Sequence, residues 1–138
     1  MGVLGQIDLA GNDVVVKSIN VGAQRSQQFP ATPATVTQAT NRTTGVTLNA
    51  SSGQITTNTA SLAAEAAAAF TVTNSFVSAN DIIVLNQKSG SNGGDTDVYV
   101  GSVSAGSFTI VVANNNAAAG TAETGAIVIS FAVIKVMG

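Results

Sequence analysis

The chain has 138 residues, of which 45% are hydrophobic and 9% charged; its net charge is −2, and it contains neither cysteine nor histidine. That much apolar content with so little net charge excludes the disordered class. No run approaches the roughly 18 consecutive apolar residues of a membrane-spanning helix, and the lack of cysteine excludes disulfide and thiol chemistry.

The opening "MGVLGQIDLAGND" has no basic stretch ahead of a long apolar core, so it does not read as a secretory signal. Gln6 stands where a myristoylation motif needs Ser or Thr. Two short apolar segments, "VLGQIDL" and "VVVKSINV", flank the turn-like "AGND", and polar "GAQRSQQ" leads to Pro30 and Pro33. Proline cannot donate to a strand ladder and disfavours helix in the residue before it, so 29–34 reads as an extended joint. Residues 1–33 are therefore expected to be an arm, and 34–138 a folded domain; an extra hairpin of that domain is the alternative for 1–33.

From Ala34 onward the pattern is short strands and turns. Val46 and Leu48 alternate with Thr47, and Ser51-Ser52-Gly53 reads as the turn of a hairpin continuing into "QITT". This whole stretch, Thr43–Thr57, carries no charge. "SLAAEAAAAF" is the one helix-like run, but it is short for a free-standing helix and has Ala64 where a capping box needs Glu. It is expected to form one helical turn or a loop before the strand of Phe70 and Val72. Ile82 to Leu85 is a continuous apolar run of buried-strand length. "DVYVGSV" and "SFTIVV" form a hairpin around Ser104-Ala105-Gly106. "FTVTN" and "FTIVVAN" each end in an Asn turn. In the last strand Ile127, Ile129, Phe131 and Val133 share one face, while Val128, Ala132, Ile134 and Val136 share the other. An antiparallel strand with a wet face alternates apolar and polar, so this one needs cover on both sides: a second sheet, the arm, or a neighbouring subunit. Seven or eight strands with frequent turns are the signature of an all-β, antiparallel sandwich of jelly-roll-like type with an N-terminal arm.

Catalytic chemistry is poorly supplied. Without His or Cys no Ser-His-Asp arrangement can be built. The seven carboxylates (Asp8, Asp13, Glu65, Asp81, Asp95, Asp97, Glu123) mostly sit beside turn residues, where they serve local hydrogen bonding. Asn92, Asp95 and Asp97 in "GSNGGDTD" offer oxygen ligands of calcium type, but the spacing lacks the distal Glu of an EF-hand, and a glycine-rich loop is the simpler reading. The five basic residues, Lys17, Arg25, Arg42, Lys88 and Lys135, are scattered and read as solvated. They form no cluster for nucleic acid or an anionic membrane.

Four segments, "ATVTQATNRTTGVTLNASSGQITT", "FTVTNSFVSANDIIVLN", "VYVGSVSAGSFTIVV" and "ETGAIVISFAVIKV", together resemble the small β-sandwich capsid decoration (cement) or head-fibre-type proteins of tailed bacteriophages. The similarity runs from about Ala34 to Val136 and leaves out the first 33 residues. It implies a jelly-roll-like fold, commonly a homotrimer, standing on the outer surface of the phage head, with the major capsid protein lattice as partner and neither enzymatic activity nor cofactor. Under this reading the arm contacts the capsid through Val14, Val15, Val16, Arg25 and Phe29. Subunit contacts fall on Val46, Leu48, Val128, Ile134 and Val136. A receptor- or glycan-binding fibre module is the alternative, disfavoured by a single Tyr (Tyr99) and no Trp.

Overall fold

The computed structural model describes residues 33–91 and 95–137. Among them there is no helix, and eight strands are formed: β1 (Ala34–Thr37), β2 (Val46–Thr47), β3 (Ser52–Thr56), β4 (Ala67–Thr73), β5 (Ile82–Ser89), β6 (Thr96–Ser104), β7 (Ser107–Asn114) and β8 (Val128–Ile134). They build two four-stranded sheets, A in the order β1-β3-β8-β5 and B in the order β2-β4-β7-β6. The sheets pack face to face as a β-sandwich. The core is one cluster, with Ile55, Ile83, Ile129, Phe131 and Val133 from sheet A meeting Val46, Phe70, Val72, Phe108, Ile110 and Val112 from sheet B. The Phe108 and Phe131 rings bridge the two sheets at 5.4 Å between centroids, tilted by 55°.

Strict two-residue periodicity produces this core. In β4 the buried positions are Ala68, Phe70 and Val72, and in β7 they are Phe108, Ile110, Val112 and Asn114. The antiparallel register sets Phe70 against Ile110 and Val72 against Phe108, so the two repeats seen in the sequence are neighbouring strands. The same periodicity overrides the helix propensity of the alanine run. Helix preferences among ordinary residues differ by a few tenths of a kcal/mol each, whereas burying Phe70 and Val72 contributes about 1.5–3 kcal/mol apiece. Ala67–Ala69 accordingly belong to β4, and the helix-like part shrinks to a turn in which the Ala66 amide donates to Ala63 O, with Glu65 at a φ of 62°.

Three expectations are corrected. The sandwich is not wholly antiparallel, because β1 pairs parallel with β3, and β2 parallel with β4. Thr43–Thr57 is not a hairpin, because β2 lies in sheet B and β3 in sheet A. Gly53 sits inside β3 rather than in a turn; a Cβ there would lie 2.8 Å from both Ala34 O and Leu48 Cδ2, so crowding rather than turning selects the glycine. Thirdly, β5 is not buried on both faces. It is the edge of sheet A, with Ile83 in the core and Ile82 and Val84 turned outward.

The β6–β7 hairpin forms as expected, with Ser104 paired to Ser107 across Ala105-Gly106 and Gly106 at a φ of 80°. Elsewhere the chain crosses between sheets, and two buried asparagines close the strand ends. Asn74 donates from Nδ2 to Ala50 O at 2.8 Å and accepts the Phe76 amide at Oδ1. Asn114 donates to Leu62 O and Thr121 O, both at 3.0 Å, and accepts the Asn116 amide.

Candidate functional site

Across their strands, each sheet carries a single charged residue, Lys88 in A and Asp97 in B. The outer face of sheet A is therefore almost free of charge, and one end of it is apolar. Its rows follow from the register. Val84 pairs with Ala132, which pairs with Ser52, and Ile82 pairs with Ile134 in the next row. Ile82, Val84 and Ile134 are 53%, 46% and 40% exposed, values high for β-branched hydrocarbon side chains. Val136 and Met137 extend this apolar end beyond β8, and both are exposed. Toward the opposite end the face turns polar, through Asn86, Ser130, Gln54 and Thr35.

The chain leaving β8 is held by an ion pair. Lys135 Nζ donates to Asp81 Oδ2, to Phe76 O at 2.8 Å and to Ser78 Oγ at 3.0 Å. The Asp81 carboxylate also accepts the Ser78 amide at 2.7 Å and the Val136 amide at 3.3 Å. Burial alone would raise the Asp81 pKa; the Lys135 contact and the two amides outweigh it and hold the carboxyl below the usual range. Lys135, between Ile134 and Val136 in the chain, is thereby tied down.

A second charged group is wholly internal. Arg42, expected to be solvated, is 3% exposed. Its guanidinium donates to Ala60 O, Thr57 Oγ1, Glu123 O and Gly125 O, tying three inter-sheet connections together. Glu123 is fully buried, and its carboxylate accepts from Ser91 Oγ, Thr96 Oγ1 and the Gly125 amide. Burial lowers the Arg42 pKa, and the charge of Glu123 works against that shift. These groups hold loops together rather than facing solvent.

The sequence-derived contact residues divide. Val46 is committed to the core, and Leu48 packs against it. Val128, Ile134 and Val136 do lie outside the core, but Val128 stands at the far end of β8 from the other two. Ile82 and Val84 were missed as surface residues, because "IIVL" has the apolar continuity of a two-sided strand and only the sheet order reveals an edge. Val14, Val15, Val16, Arg25 and Phe29 lie outside the described residues.

Of the calcium-type ligands, Asn92 also lies outside the described residues, while Asp95 and Asp97 line an open cleft with Thr96, Asn115 and Ala117. Asp97 Oδ2 already accepts from Asn115 Nδ2 at 2.7 Å. Among the described residues no group of three His, Cys, Asp or Glu side chains could hold a metal ion, and no helix is long and apolar enough to cross a membrane. No family model, curated protein or solved structure matches the chain.

Proposed function

We propose that the chain is a non-enzymatic virion structural protein: a capsid decoration (cement) protein of jelly-roll-like type that binds the outside of an assembled phage head and reinforces it against internal pressure, as a homotrimer with an N-terminal arm. The observation that supports this reading from the fold is the outer face of sheet A, uncharged across its strands except for Lys88 and apolar at one end. A buried charge costs several kcal/mol unless paired, so a surface without charge suits repeated close contacts in a lattice. The phage assignment itself comes from the sequence resemblance.

The mechanism is linkage. A ligand that binds only the expanded shell stabilises that state by about 2.7 kcal/mol per site at a hundred times its Kd. Three joined arms raise avidity without any one contact being strong.

The test is co-sedimentation of the purified protein with undecorated mature heads and with unexpanded precursor shells of the same phage, with light scattering for its solution mass. Saturable binding to mature heads only, by a trimer, is the expected result; no binding to either particle overturns the proposal. The second reading, a receptor- or glycan-binding module, draws on Tyr99, half exposed two residues from Asp97 at the open cleft. It predicts that Tyr99→Ala abolishes adhesion to host cells and leaves head binding unchanged.

A further inference from the structure

The chain leaving β5 holds a hydroxyl and a carboxylate in contact beside a strained stretch of backbone. Gly90 and Ser91 are neighbours at φ values of 82° and 83°. Serine seldom adopts that conformation, because a side chain at positive φ crowds its own backbone. Ser91 Oγ donates to Glu123 Oε2 at 2.7 Å. A carboxylate at that distance is placed to take the proton as the hydroxyl becomes a nucleophile. Glu123 is held in turn, its carboxylate accepting from the Gly125 amide and from Thr96 Oγ1, both at 2.8 Å. The same loop walls in the other side of the peptide bond. A Cβ at Gly90 would overlap Ala126 O and lie 2.9 Å from Ile127 Cα, so only glycine fits there. Ser91 is partly exposed, which gives water a route to it. Thr96 reaches the same carboxylate, but it is buried and paired in the ladder of β6 without a positive φ, so the bond before it has neither strain nor water.

We propose that the chain cuts itself once, between Gly90 and Ser91, by transfer of the Gly90 acyl group to Ser91 Oγ with Glu123 as the base. Ser91 Oγ gives its proton to Glu123 as it bonds to the Gly90 carbonyl carbon. The adduct expels the Ser91 nitrogen, which takes the proton back, leaving an ester to Ser91 Oγ and a free Ser91 amine. Water then adds to the ester carbonyl, Ser91 Oγ leaves with a proton, and Gly90 ends as a carboxylate. Breaking the amide releases the backbone strain at Ser91, which favours the forward direction. This is a single event on the chain itself, with no external substrate, and it does not depend on the decoration reading. The cut would leave β1 to β5 in one piece and β6 to β8 in the other. β8 pairs with β3 and β5, and β7 with β4, so strands of the two pieces alternate in both sheets and the nicked sandwich stays together.

The test is incubation of the folded full-length protein at neutral pH, followed by denaturing electrophoresis and intact mass. The expected result is first-order conversion to pieces 1–90 and 91–138, at a rate independent of protein concentration, with the native mass unchanged. Neutral hydroxylamine traps the ester, so it should speed the reaction and leave a hydroxamate on Gly90. Fragment masses separate this from cleavage at Asn92-Gly93, a bond type that hydroxylamine also attacks. Ser91→Ala should stay whole, and Ser91→Cys should still cleave through the corresponding thioester. A positioned base contributes about 10²–10⁴ in rate, so Glu123→Gln, compared where its sandwich is folded, should slow cleavage at least about a hundredfold. A wild-type chain that stays whole with and without hydroxylamine overturns the proposal. So does cleavage at another bond, cleavage that persists in Ser91→Ala, or a rate that rises with protein concentration. An unchanged rate in folded Glu123→Gln removes the carboxylate from the step and overturns the assignment of the base.

Discussion

Replacing Arg42 with Ala is expected to be among the most damaging single changes in the sandwich, although the residue is charged and not a member of the apolar core cluster. The guanidinium makes four hydrogen bonds, to Ala60 O, Thr57 Oγ1, Glu123 O and Gly125 O. Hydrogen bonds to a charged group contribute about 1.5–3 kcal/mol each, but four that share one group do not add. A better guide is the cost of removing one member of a buried charge pair, about 3–5 kcal/mol, because the other charge stays desolvated. Glu123 is in that position, fully buried and electrostatically coupled to Arg42. For a domain near 100 residues that loss lowers the thermal midpoint by about 12–40 °C.

The assay is urea and thermal unfolding of Arg42→Ala, Glu123→Gln and the double variant. The coupling energy of the cycle is expected to exceed about 1 kcal/mol, with the double variant less destabilised than the sum of the singles. Arg42→Lys should fall between wild type and Ala, since an ammonium keeps the charge but cannot fork toward three connections at once. A loss below about 1 kcal/mol for Arg42→Ala would show that the three connections hold without it and would refute the reasoning.

Gly53→Ala is expected to cost about 2–3 kcal/mol by overpacking, since its Cβ would meet a backbone oxygen and Leu48 at 2.8 Å; Gly106→Ala meets open space and should cost about 1–2 kcal/mol from its positive φ alone. A Gly53→Ala midpoint equal to wild type would return Gly53 to the role of a turn residue. The depressed Asp81 pKa gives a signed acid dependence: its contribution is complete above the unfolded value of about 3.9 and is lost as the pH falls through the lower folded value. Lys135→Ala should therefore cost about 1 kcal/mol at pH 7, and the gap to wild type should close in unfolding titrations below pH 4. Asn114→Ala removes donors to Leu62 O and Thr121 O and an acceptor for the Asn116 amide, for a loss of about 1–3 kcal/mol by urea unfolding; Asn115→Ala, exposed, serves as the near-neutral control.

What could be read from the residues was whatever depends on neighbours along the chain. The all-β class, the alternation in β4, β7 and β8, the Ala105-Gly106 hairpin and the two asparagine stops are local features, and each appears in the structure. Strand order is not local. Ser51-Ser52-Gly53 resembles a turn because Ser and Gly are turn residues, yet Gly53 is crowded by Ala34 and Phe131, both distant in sequence, as well as by nearby Leu48. "IIVL" resembles a buried strand because periodicity cannot separate an edge with an apolar outer face from a centre strand. Arg42 looked solvated because nothing within ten residues of it is acidic, and its coupled charge, Glu123, lies 81 positions away.

The same asymmetry governs the candidate surface. Outward apolar residues on β8 were legible, since Val128, Ala132 and Ile134 alternate with the core set. The strand's two faces each called for cover; sheet B covers the inner face, and Ile82, Val84 and Ile134 on the outer face stay exposed. Two strands that each looked overburdened with hydrocarbon thus prove to be neighbours, and their excess falls on the same end of the same face. Apolar excess in a strand is ambiguous by itself; register turns it into a location.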